Sequence, residues 1–157
     1  MSKDEIRIVE LPPLRVISVN GYGQEPESQA FEKMFAWAKE HGELDKPHRL
    51  FGFNNPSPAP GSPNYGYDVW MSVEDSCLAD GEARLVHFSG GLYAVMRVEV
   101  TSPGDQIPLA WKQMVKWRQD SPYHQGHHQW LEEHIGPIKG VVDPLPITLD
   151  LHLPIRK

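Results

Sequence analysis

Cysteine is nearly missing from this 157-residue chain, which has only Cys77. One thiol closes no internal disulfide, which excludes a disulfide-stapled secreted scaffold and fits a reducing compartment. No basic run flanks Cys77, so it reads as an inert thiol. Long apolar runs are missing too, and none approaches the roughly 20 residues that a membrane span needs. The opening MSKDEIRIVELP runs straight into an alternating segment without a signal-peptide pattern. The expectation is a cytoplasmic protein that engages no membrane. Positive charge is in deficit, with 15 Lys and Arg against 21 Asp and Glu for a net charge of -6. A direct nucleic-acid partner would require a basic patch, so none is expected. The acidic balance favours a cationic ligand and serves solubility equally well.

Catalytic and cofactor motifs are also lacking. There is no P-loop, no nucleophile elbow and no Ser/His/Asp order that spacing alone supports. Gly90-Gly91 reads as a turn between strands, because no helix follows to make a phosphate cradle. His124, His127, His128 and His134 cluster without cysteine and at no zinc spacing. No metal and no cofactor are expected.

What remains is an ordinary globular composition, long enough to bury a core as one domain over residues 1–157. Ile6, Ile8 and Val9 begin a strand, Pro12-Pro13 breaks it, and Leu14–Val19 reads as the next. Phe31, Met34, Phe35 and Ala38 fall on one face of a helix expected from about Glu27 to His41. Strands follow at His48–Phe53 and Gly66–Val73, separated by a loop holding Pro56, Pro58, Pro60 and Pro63. The second half gives strands at Arg84–Ser89 and Leu92–Val100 and a helix at about Pro108–Gln119. Further strands follow at Trp130–Ile135 and Thr148–Ile155, with a loop at Gly136-Pro137 between them.

The two halves align with each other. FEKMFAW from Phe31 matches WKQMVKW from Trp111, pairing Phe31 with Trp111, Met34 with Met114 and Trp37 with Trp117. HRLFGFN from His48 matches HQWLEEH from His128 at the same offset. YDVWMSV from Tyr67 matches LDLHLPI from Leu149, setting Asp68 on Asp150 and Trp70 on His152. Three matches in one order point to an internal duplication, with repeats at about 5–73 and 84–155. The expected fold class is α+β: duplicated β-α-β-β units forming a curved antiparallel sheet, with two helices on one face and a ligand cleft at the pseudo-two-fold.

Strand alternation then sorts faces. Leu149, Leu151, Leu153 and Ile155 are expected under the helices, with Asp150 and His152 on the open side. Tyr67, Val69, Met71 and Val73 are core, leaving Asp68, Trp70 and Ser72 open. Leu131 and Ile135 are assigned to core, leaving Trp130, Glu132 and His134 toward the cleft; Glu133 fits this poorly and is the fallback to Glu132. Trp37, Trp111 and Trp117 lie on helices and are expected to pack. A carboxylate in an apolar cleft needs a partner, and a lipophilic cation supplies one, with Trp130, Trp70 and Tyr93 offering flat faces for cation–π contacts.

Four segments carry a family resemblance: GYDVWMSV from Gly66, SGGLYAVM from Ser89, LEEH from Leu131 and LDLHLPI from Leu149. In this order they resemble the GyrI-like small-molecule-binding domain, the effector-binding domain of AraC-type and MerR-type multidrug-sensing regulators. The resemblance implies that Glu132 is the ligand carboxylate and Tyr93 a pocket aromatic. His134 stands where the family has a tyrosine. The candidate ligand residues are Glu132, Trp130, His134, Trp70, Tyr93 and His152. The implied function is binding of a small hydrophobic or cationic ligand by a stand-alone domain. Two alternatives are hydrolysis of reactive electrophilic genotoxins with Glu132 as base and a protein-interaction role such as DNA gyrase inhibition.

Overall fold

Strand β1 (Ile6–Leu11) stops at Pro12-Pro13, since proline cannot donate to a ladder. Strand β2 (Leu14–Gly23) leads into helix α1 (Pro26–Glu40), which has proline in its first turn, where no N–H is needed. Strands β3 (Leu50–Asn54), β4 (Tyr65–Ser72), β5 (Arg84–Phe88) and β6 (Gly91–Val100) follow. The chain ends with helix α2 (Pro103–Gln119), strand β7 (His124–Gln125), strand β8 (Leu131–Ile135) and strand β9 (Ile147–Arg156). This computed structural model describes residues 5–136 and 146–157, so Pro137 of the expected Gly136-Pro137 loop lies outside the described residues.

The fold is α+β with antiparallel strand pairing, and it divides into two compact units. One holds α1 with strands in the order β3-β4-β2-β5. The other holds α2 with strands in the order β8-β9-β6-β1, and β7 added to β9. The two orders correspond position for position, as a duplicated chain requires. The first strand of each repeat is exchanged: β1 pairs with β6, and β5 pairs with β2. Gly90, at the turn into β6, has φ of +75°, and a Cβ there would run into the Leu11 carbonyl, so only glycine fits.

Each helix packs on its own unit's strands. Phe31, Met34, Phe35 and Ala38 of α1 bury against Ile17, Val19, Tyr67, Val69 and Met71. Ala110 and Met114 of α2 bury against Ala94, Met96, Leu149, Leu151, Leu153 and Ile155. The helix-facing rows expected in β4 and β9 are therefore the observed ones, with Val73, just past β4, partly buried against the same α1 cluster. Helix α2 begins five residues before the expected Pro108. The Gln106 side chain accepts the backbone N–H groups of Thr101 at 2.6 Å and Ser102 at 2.7 Å, which anchors the added turn. Strand β7 has only two residues and no alternation to announce it. Among the described residues, no helix is long and apolar enough to cross a membrane.

Candidate functional site

Strand β8 sets the geometry of the candidate site. Directly opposed residues of antiparallel strands share a face. Glu132 lies opposite Leu151 and His134 opposite Leu149, so both face α2. Trp130 packs on the same α2-side cluster. The three residues expected together are together, but on the helix side rather than the face of Asp150 and His152. Leu131 and Glu133, opposite His152 and Asp150, take that other face. The side was misassigned because β9 is buried on both faces over Leu149–Ile155. Apolar alternation in β8 therefore could not reveal which of its faces meets the helix.

On the helix side, Glu132 meets Trp111 of α2, whose indole Nε1 points at Oε2 from 3.5 Å. Trp111 and Trp130 lie with ring centroids 5.1 Å apart and planes inclined by 49°. Trp111, expected to pack, does pack on the α2-side cluster, and its contact with Glu132 is an addition that the sequence did not announce. His134 is the second titratable group on this face. Its Nε2 is inaccessible to solvent although the residue keeps partial exposure, and this desolvation lowers its pKa from 6.5 to about 4. The imidazole is therefore neutral at pH 7 and does not repel a cation.

Tyr93 and His152 belong to the opposite face of the same unit and do not join this group. Their rings meet at 5.3 Å, and His128 packs on Tyr93 at 4.7 Å. The Tyr93 hydroxyl donates to the Gln129 carbonyl, and burial pushes this phenol far above its usual pKa, so it stays a neutral donor. Glu133 Oε1 lies 3.7 Å from His152 Nε2, which accounts for a glutamate in a buried row. Beside them, Asp150 accepts from Arg97 at 2.8 Å and 3.1 Å and from Arg7 at 3.0 Å. Burial pushes the Asp150 carboxyl up, but the two guanidinium groups outweigh it and hold the carboxyl below its usual range.

Trp70 sits in the other unit, on the face of β4 turned away from α1. It packs edge-on to Phe53 at 4.9 Å and against Phe88 at 5.2 Å, and is buried. Its neighbour Asp68 accepts hydrogen bonds from Asn20 and Asn55. The residue sequence reasoning placed on the open side is thus part of an aromatic cluster. The histidines read as a cluster disperse as well: His128 bonds the Leu92 carbonyl at 2.7 Å, and His134 lies under α2. Among the described residues, no three His, Cys, Asp or Glu side chains are placed to hold a metal ion.

A half-buried carboxylate beside two tryptophans, on a duplicated β-α-β-β frame, can be compared with known proteins. The family model of the GyrI-like small-molecule-binding domain matches residues 4–136. The chain belongs to the GyrI-like family. Its fold is similar to the C-terminal domain of EcmrR, with a TM-score of 0.70, 14% identity and 98% of both chains covered. It is also similar to EcmrR in a complex with DNA, at TM-score 0.72 and 16% identity, covering 98% of this chain but 57% of that one. A third similar structure is that of a hydrolase from Listeria innocua, at TM-score 0.63 and 14% identity, covering 99% and 94% of the two chains. No curated protein matches significantly. A GyrI-like chain is a small-molecule-binding domain, and identities this low extend the likeness to the fold alone.

Proposed function

We propose that this GyrI-like domain binds flat, lipophilic aromatic cations on the α2 side of β8. The observation that supports this reading is Glu132, half-buried beside Trp111 and Trp130. A carboxylate attracts a positive group more strongly where it is partly removed from water, and tryptophan faces attract the same cations. The tryptophan spacing narrows the ligand shape. A ring sandwiched between two others needs about 7 Å between the outer rings, twice a carbon–carbon contact distance. At 5.1 Å the two indoles touch each other, so a ligand stacks on one outer face. One flat face and one carboxylate impose little shape selection, which suits a protein that takes several related compounds. EcmrR, whose C-terminal domain shares the fold, has a solved structure in complex with DNA. For this chain we favour a ligand receptor that does not itself contact nucleic acid.

A hydrolytic reading draws on one observation, the neutral His134 two residues from Glu132 on the same face. Proteins of this fold from Listeria innocua are described as hydrolases. Turnover of an electrophilic cyclopropane, abolished in Glu132→Gln, would favour that reading over binding alone.

The direct test is thermal stabilisation of wild type and Glu132→Gln by N-methylquinolinium, neutral methylnaphthalene and naphthoate. The expected order in wild type is cation, then neutral compound, then acid. Glu132→Gln is expected to weaken the cation about tenfold, equivalent to about 1.4 kcal/mol, and to leave methylnaphthalene unchanged. An equal response of both proteins to the cation contradicts the reading.

A further inference from the structure

Because the chain is duplicated, each half is an internal comparison for the other. Leu131 lies opposite His152 and Glu132 opposite Leu151, just as Phe51 lies opposite Trp70 and Gly52 opposite Val69. Gly52 is therefore the counterpart of Glu132, at the same offset that sets Phe31 on Trp111. In the first half, neither the carboxylate nor the indole N–H is present. The Tyr67 phenol covers the helix-facing side of Gly52 instead, with Phe31 6.1 Å away between ring centroids. Phe31 and Tyr67 are both buried core residues. In the second half all three positions differ together: Trp111 for Phe31, Glu132 for Gly52 and the smaller Leu149 for Tyr67. Within this one chain, the carboxylate and the indole donor occur as a pair or not at all.

Packing alone does not account for the tryptophan. The same helical position is filled by phenylalanine in the first half, where it is buried in the core. What tryptophan adds is an N–H at the positive edge of its ring. Trp111 is held by α2 and by contact with Trp130, so this edge is presented to Glu132 Oε2 from a fixed direction. At 3.5 Å the contact is at the long limit of a hydrogen bond, so it bears on the direction of the carboxylate.

We propose that Trp111 is the positioning residue of the ligand site, whose indole N–H turns the Glu132 carboxylate toward the positive charge of the ligand. This rests on the binding reading above and adds the residue that gives the site its preference for charge. The face of Trp111 serves any aromatic ligand, whereas its N–H serves only cationic ones.

The test is calorimetric titration of wild type, Trp111→Phe, Trp111→Ala and Glu132→Gln with N-methylquinolinium and with methylnaphthalene. Phenylalanine already occupies the counterpart position, so Trp111→Phe keeps a ring in a shape this frame accommodates. Trp111→Phe is expected to weaken the cation about 3- to 10-fold, within the range for one ordinary hydrogen bond, and methylnaphthalene by less than about twofold. Trp111→Ala is expected to weaken both ligands. Equal weakening of both by Trp111→Phe, or no change in either, overturns the proposal. A cation preference that Glu132→Gln removes and Trp111→Phe leaves intact overturns it alone. A wild type that shows no cation preference overturns both this proposal and the reading on which it rests.

Discussion

Tyr93→Ala is expected to cost about 3–5 kcal/mol of stability, in the range for emptying a fully buried aromatic site. For a chain of this length that lowers Tm by about 10 °C or more. Tyr93 is fully enclosed, touches His128 and His152, and donates to a backbone carbonyl. Its removal leaves a cavity and an unpaired carbonyl together. Tyr93→Phe keeps the ring and is expected to cost only about 1 kcal/mol, the worth of one hydrogen bond. Both variants are expected to keep the wild-type preference for cations over neutral aromatics, because Tyr93 lies on the face of the strands turned away from Glu132. Chemical denaturation measures the two stabilities. A stable Tyr93→Ala with lost ligand binding would move the site to that face.

The second large effect is on pH dependence. His134 has a pKa of about 4 in the folded protein against 6.5 for an ordinary histidine. Between these values the unfolded chain binds more protons, so stability rises with pH across the window. The contribution is complete above pH 6.5 and is lost as pH falls toward 4. At about 1.4 kcal/mol per pH unit this amounts to about 3 kcal/mol in full. Most of it, about 2 kcal/mol, disappears between pH 7 and pH 4.5. Asp150 acts lower down: its depressed pKa gives stability above its ordinary value of 3.8, lost as pH falls below that. The two groups therefore separate along the pH axis. Stability of His134→Gln from pH 7 to pH 4.5 is expected to fall less steeply than that of wild type. Parallel curves would mean that His134 is not desolvated.

Much of the frame was legible because its signals are local. Helix α1 announced itself by Phe31, Met34, Phe35 and Ala38 on one stripe. Its observed bounds are within a residue of those expected. The duplication was legible because strand residues recur at matching offsets, and the registers of β3 on β4 and β8 on β9 repeat it residue by residue. The side of β8 that meets the helix was not legible. Alternation gives two faces, but naming them needs the register with β9, a contact that only the folded chain defines. The same limit hid Trp111. A tryptophan on a helix reads as core from its own neighbours, and its relation to Glu132 spans 21 residues. Glu133, which looked like an error in the pattern, is explained by His152 from another strand.

The ligand is expected to meet the α2 side of β8. Mapping backbone and indole N–H resonances during titration with N-methylquinolinium tests this residue by residue. The shifts are expected to concentrate on the indoles of Trp111 and Trp130 and on the amides of Glu132 and His134. Shifts that concentrate instead on Tyr93, His152 and Trp70 would contradict it.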